Sequence, residues 1–176
     1  MSLGRDYAGQ ECALASALEL IGERWTLLLV RDAFYGVRRY SDFLAHVGAP
    51  RAVLAERLQS LVDAGVFERR PYQDSPPRDE YVLTEMGVAL WPAVYTLAQW
   101  GERYLSSAGP RRIFAHVTCG SPLDPLGMCS SCGMVVAPAD VEVRPGPGTS
   151  GDGHGNAVSQ ALRLPHRLLQ PLLPPG

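Results

Sequence analysis

The chain has no lysine: all 16 of its basic side chains are arginine. Arginine suits bidentate contact with phosphate or guanine, but a preference for GC-rich codons is enough to account for the bias. No apolar run approaches the ~20 residues of a membrane span, so no membrane partner is expected. The opening MSLGRDYAGQ lacks the basic patch and apolar segment of a secretory signal, and a cytoplasmic location is the expectation. Positive charge is not in excess either. The formal net charge is −2, so any nucleic-acid contact must depend on where the arginines sit rather than on their number. No Ser-His-Asp set, phosphate loop or open metal site is present, and enzymatic activity is not expected.

What is present is an apolar content of 46% over 176 residues, enough for one domain and a small appendage. Leu14, Leu18 and Ile21 fall at helical spacing, and a second helix is expected over Arg24–Phe34, apolar on more than one side. Gly36 suits its C-terminal cap. Val37–Tyr40 reads as a short strand. Ser41 reads as the N-cap of a helix over Asp42–His46. Val47-Gly48-Ala49 forms a turn, and Pro50 suits the first position of a helix reaching about Ala64. Helix, turn, helix and then a hairpin over Val66–Leu83, with Asp74-Ser75-Pro76-Pro77-Arg78 at its tip, are the outline of a winged helix-turn-helix.

A recognition helix presents its N-terminal residues to base edges. Arg51, Ala52, Ala55, Glu56 and Arg57 hold those positions, with Arg78 at the wing tip and Arg38, Arg39 and Ser41 at the entry to the first helix. A solvated helix face would have a similar composition. Residues 31–80 carry eight arginines against eight carboxylates, so the segment is locally neutral.

From Thr84 to about Ser106 the pattern is one long helix, kinked or started by Pro92. Its aromatic load exceeds the needs of a small monomer. Leu90, Val94, Leu97, Trp100, Gly101 and Tyr104, together with Leu14 and Leu18, form the expected interface of a two-fold homodimer, which would match a palindromic operator.

His116-Val-Thr-Cys119-Gly and Cys129-Ser-Ser-Cys132-Gly are two matching corners. Each aims two ligands at one point, and the following glycine permits the turn. One His and three Cys make a complete tetrahedral site for one structural zinc ion with no open position. A redox pair at Cys129 and Cys132, or free thiols, are the competing readings. Short strands are expected near Ile113–Val117 and Met134–Val136. Five Gly and two Pro between Arg144 and Asn156 read as a flexible linker, and the proline-broken end as a segment of low order. His154 and His166 have no matched partners there.

The motifs IGERWTLLL (21–29), GVRRYSDF (36–43), LAERLQSL (54–61), GVFER (65–69) and PPRDEYVLTEMG (76–87) resemble, in order, those of the HxlR family of bacterial winged-helix regulators. The fold class read from the chain is mainly α with a small β-hairpin, a winged helix-turn-helix plus a zinc-knuckle, ribbon-like appendage. The expected division is 1–108 for DNA binding and dimerisation, 109–143 for the knuckle and 144–176 for the tail. The resemblance implies a sequence-specific transcriptional regulator whose partners are double-stranded DNA, a second copy of the chain and a small-molecule or oxidant effector. Cys12 matches the position at which several members carry a redox-sensing thiol. Ala49-Pro50-Arg51-Ala52 differs from the family's usual Ser or Thr cap. The alternative reading is a winged-helix protein-interaction module with a structural zinc site and no specific DNA target.

Overall fold

Nine residues, Ala13–Ile21, form α1, and Gly22 stops it. The computed structural model describes residues 7, 9–149 and 155–173; residues 150–154, His154 among them, lie outside these. The next helix, α2 (Thr26–Phe34), begins two residues later than its apolar pattern suggests. Trp25 adopts a left-handed backbone (φ 82°), which a helix interior does not allow, and so becomes the N-cap. Leu29, Val30 and Phe34 of α2 are fully buried, so α2 is the centre of the core.

A left-handed Gly36 (φ 88°) turns the chain into α3 (Tyr40–Val47). Ser41 lies inside α3 and does not cap it; Arg39 takes the cap position, without a side-chain capping bond. Val37–Tyr40 is not a strand, because its one sheet-like bond is Tyr81 N donating to Arg38 O at 2.7 Å. Gly48 (φ 73°) makes the turn to α4 (Arg51–Asp63), which Pro50 caps rather than opens. Leu54, Leu58 and Leu61 recur at helical spacing and are buried in the core, where α4 packs on α2 and the first strand of the wing.

The wing is an antiparallel pair, β1 (Phe67–Asp74) and β2 (Pro77–Leu83), running from Phe67 opposite Leu83 to Asp74 opposite Pro77 with a register shift between Pro71 and Gln73. The Thr84 hydroxyl then accepts from Gly87 N and donates to Gly65 O, fixing the start of α5 (Glu85–Val88) to the start of the wing. The expected single helix is two, with α6 (Trp91–Leu105) carrying Pro92 in its first turn, where proline's missing N–H costs nothing.

Beyond α6 the chain builds a second sheet: β3 (Arg112–His116), β4 (Val141–Pro145), reached through a 3-10 turn at Pro138–Asp140, and β5 (His166–Arg167), in the order β3-β4-β5. Met134–Val136 is only an isolated bridge, Met128 opposite Val135. The core is continuous between the two sheets. Phe114 of β3 stacks edge-on against Trp91 and Tyr95 of α6, and the Tyr95 hydroxyl donates to Asp124 O at 2.7 Å.

The tail differs most from its sequence pattern. Strand β4 runs across the expected boundary at residue 144, and residues 155–173 are docked. Asn156 caps the short α7 (Ala157–Ala161) and donates to Ala45 O of α3. Val158, Leu162 and Leu168 are buried, while Leu169 N and Leu172 N donate to Phe34 O and Gly36 O. The prolines stop a long helix from forming but leave an extended segment whose N–H groups find partners on the winged domain.

Candidate nucleic-acid face and metal centre

With Leu54, Leu58 and Leu61 turned inward, α4 leaves Arg51, Ala52, Ala55 and Glu56 exposed. The Tyr40 hydroxyl donates to Arg51 O at 3.0 Å, tying the start of α4 to the start of α3. Ser41 is exposed beside Asp42, and Arg78 is exposed next to the wing tip. These side chains front the helix-turn-helix and its wing.

Other arginines of the expected set are engaged within the chain. Arg57, with 22% of its side chain exposed, lies 3.5 Å from both Glu23 and Glu56. Arg38 is half-buried, pairs with Glu80 at 3.2 Å and donates to Leu169 O of the tail at 3.1 Å. The Arg39 guanidinium lies over the Tyr72 ring at 4.9 Å. Arg38 and Arg57 therefore join elements together, and the spacing that singles them out carries no signal of the carboxylates that meet them.

Beneath the helix-turn-helix is a buried ionic group that the sequence reading did not select. Asp32 of α2 is fully buried; one of its oxygens accepts from Arg31 at 2.7 and 2.9 Å, and the other lies 2.7 Å from His46 Nδ1 of α3. An Arg31-Asp32 pair set between Val30 and Ala33, on a helix otherwise apolar from Leu27 to Phe34, was the available clue.

On α6, Leu97, Trp100 and Tyr104 are 53%, 53% and 61% exposed, and Leu14 of α1 is 66% exposed. Leu18 and Gly101 are half-buried. Val94 and Leu90 face inward, Val94 being buried in the core with Leu90 packed on it, so neither belongs to this open face.

The two corners converge as their spacing implies. His116 stands at the end of β3, its N–H bonded to Ser121 O, and Gly120 N donates back to His116 O. Gly120 (φ 71°) and Gly133 (φ 65°) take the left-handed conformation that each corner requires. The ligand atoms of His116, Cys119, Cys129 and Cys132 all lie within 4.8 Å of one another. Cys119 Sγ is 3.5 Å from His116 Nδ1, 3.4 Å from Cys129 Sγ and 3.6 Å from Cys132 Sγ; Cys132 Sγ is 3.4 Å from His116 Nδ1. A tetrahedral zinc with bonds of ~2.3 Å to sulfur and ~2.0 Å to nitrogen has edges of about 3.8 and 3.5 Å. The donor set fits a metal ion with little movement. Hydrogen bonds from the Ser121 backbone and hydroxyl, and then from Cys129, pull the Cys119 thiol down to about 6. Bonding to Cys119 and Cys129 holds the Cys132 proton, up to about 11. Cys12 is exposed at the start of α1, and the backbone N–H groups of Ala15 and then Leu14 lower its pKa.

Among the described residues no helix is long and apolar enough to cross a membrane. Residues 20–108 match the family described as HxlR-like helix-turn-helix. An HTH-type transcriptional regulator of Mycobacterium tuberculosis is 46% identical over 137 residues, covering 77% of this chain and 87% of that protein. Among solved structures, PA1607, a proposed transcription factor, is similar with 34% identity and a TM-score of 0.59, over 74% of this chain and 92% of its own. The oxidized form of the redox regulator HypR is similar with 31% identity and a TM-score of 0.50, over 52% of this chain and 96% of its own.

Proposed function

Because the chain belongs to the HxlR-like helix-turn-helix family of transcriptional regulators, we propose that it binds a palindromic operator in double-stranded DNA as a homodimer. The observation that carries this reading is the exposed start of α4, Arg51, Ala52, Ala55 and Glu56, on a helix anchored by its leucines. Arg51 and Glu56 read base edges, Ala52 and Ala55 let the helix approach closely, and Arg78 meets the backbone. Ser41 and Arg39 lie at the entry to α3. Arg38 and Arg57 act as positioning residues, through Glu80 and through Glu23 and Glu56. Leu14, Leu18, Leu97, Trp100, Gly101 and Tyr104 supply the dimer interface, since an aromatic face this open is costly to leave in water.

His116, Cys119, Cys129 and Cys132 hold one structural zinc ion, and the ligand distances support it. The ion closes the turns beneath β3, and with four protein ligands it has no open position for catalysis. Cys12 acts as a redox-responsive thiol. Its exposure and lowered pKa support this role, as does the likeness to a redox regulator.

Footprinting of the dimeric protein at low salt on the DNA upstream of its own gene tests the reading. Protection of a two-fold-symmetric site, lost steeply as salt rises, is expected. The second reading, a winged-helix module that contacts proteins, draws on the internal pairing of Arg38 and Arg57. It predicts no protected site and a shallow salt dependence.

A further inference from the structure

A cavity of about 710 Å³ lies between α2, α6, β3 and the docked tail, within the size range of small-molecule sites. Leu27 of α2, Leu97 of α6 and Leu162 just past α7 give it an apolar side. Against them stand Arg31, Arg111, Arg112 and Arg163, with Glu102 the one carboxylate among the described residues of the lining. Among the described residues, four guanidiniums thus share one concavity in a chain of net charge −2.

The four cations are not equally neutralised. Arg31 is matched by Asp32 at 2.7 Å, and Arg111 meets Glu102 only at 3.6 Å. Arg112 is half-buried on β3 and reaches the Arg111 carbonyl at 3.4 Å; among the described residues it faces no carboxylate at ion-pair distance. A half-buried guanidinium without a counter-ion favours an anion from solution. Nearby, Glu102 Oε2 is buried with no hydrogen-bond partner, an acceptor awaiting a donor.

We propose that this cavity binds a small organic carboxylate with an apolar body, its carboxylate on Arg112 and Arg111, its body on Leu27 and Leu97, and a hydroxyl donor on Glu102. The site goes beyond the DNA-binding reading and stands without it. It also reaches the helix-turn-helix. Arg31 and His46 both line the cavity and both hold the buried Asp32, and His46 lies in the last turn of α3. An occupant therefore touches the pair that seats α3 on α2.

The test is calorimetric titration of the full zinc-loaded chain, without DNA, with 3-(4-hydroxyphenyl)propanoate, its amide and 3-phenylpropanoate. The hydroxylated carboxylate should bind once per chain, the amide at least tenfold more weakly, and the probe without the hydroxyl more weakly than the first. Arg112→Gln should weaken the carboxylate about tenfold and leave the amide unchanged. Gly101→Leu should abolish binding of all three; a Cβ at Gly101 meets nothing within 4 Å, so the new side chain has room to fill the space. Thermal melts and zinc content of both variants establish that they fold. Equal binding of acid and amide, or no saturable heat at millimolar probe, overturns the proposal. Binding seen only in a dissociated Trp100→Ala variant overturns it too, since a second copy of the chain would then be the occupant.

Discussion

His46 Nδ1 lies 2.7 Å from Oδ2 of Asp32, and this contact joins α3 to α2 across the base of the helix-turn-helix. Asp32 holds Arg31 through its other oxygen, so one fully buried carboxylate serves two elements. Asp32→Ala takes this acceptor from both Arg31 and His46 and should cost about 3 kcal/mol. Urea denaturation measures it; a loss below about 1 kcal/mol would show the contact to be incidental.

Gly36 is required twice. Its φ of 88° favours glycine, and a Cβ there would sit 1.7 Å from Gln170 O. Gly36→Ala should expel the tail while the helix-turn-helix stays folded. Rapid amide exchange at Leu172, whose N–H bonds to Gly36 O, would report it; unchanged protection would refute the account.

The metal centre should contain one equivalent of zinc in protein purified without chelators. Cys129 is the fully buried ligand of the four. Cys129→Ser should bring zinc below half an equivalent by elemental analysis and loosen β3 and its turns, because a ribbon this small has too little core of its own.

In operator binding, Arg51→Ala should cost roughly 1–3 kcal/mol and relax selectivity at one base position. Arg78→Ala should weaken all sequences alike and lower the salt slope by about 1. Arg163→Ala, in the cavity lining and on neither α4 nor the wing, should leave affinity unaltered. Gel shifts at several salt concentrations separate these outcomes.

Acid should loosen the tail. Burial, chiefly, lowers the pKa of His166 from its ordinary 6.5, and the nearby Arg112 adds to the shift. The unfolded chain therefore takes up a proton first. Stability is full above about 6.5 and falls as the pH drops below it toward the lower folded value. His166→Gln should flatten the stability profile over that interval; an unchanged slope would place the effect elsewhere.

The helix-turn-helix, the wing and the metal corners were legible because their signals are local. Apolar residues at helical spacing placed α2 and α4, glycines at 36 and 48 marked the turns, and ligands three positions apart marked the corners. The tail was not legible. Its prolines read as disorder, and its order depends on hydrogen bonds to Phe34 and Gly36, far away in the sequence. The pairing of Arg38 and Arg57 within the chain was hidden for a related reason. Arginine has the reach for several partners, and only the folded chain brings Glu80 and Glu23 within range. Likewise Leu90 and Val94 share a stripe with Leu97, but Leu90 is the N-cap of α6, packed on the core in which Val94 is buried, and the stripe alone does not show where that core ends.

The bond from Arg38 to Leu169 spans 131 residues. During synthesis from the N-terminus, the helix-turn-helix and wing emerge long before the segment that ties them down. Until Leu169 leaves the ribosome, Arg38 lacks that partner, and the Phe34 and Gly36 carbonyls that Leu169 and Leu172 later occupy are open to water. Residues translated well after the winged domain thus close it. A chain cut before Leu169 would present a winged helix without this tie, distinguishable by the N–H groups that bond only when residues 169–172 arrive.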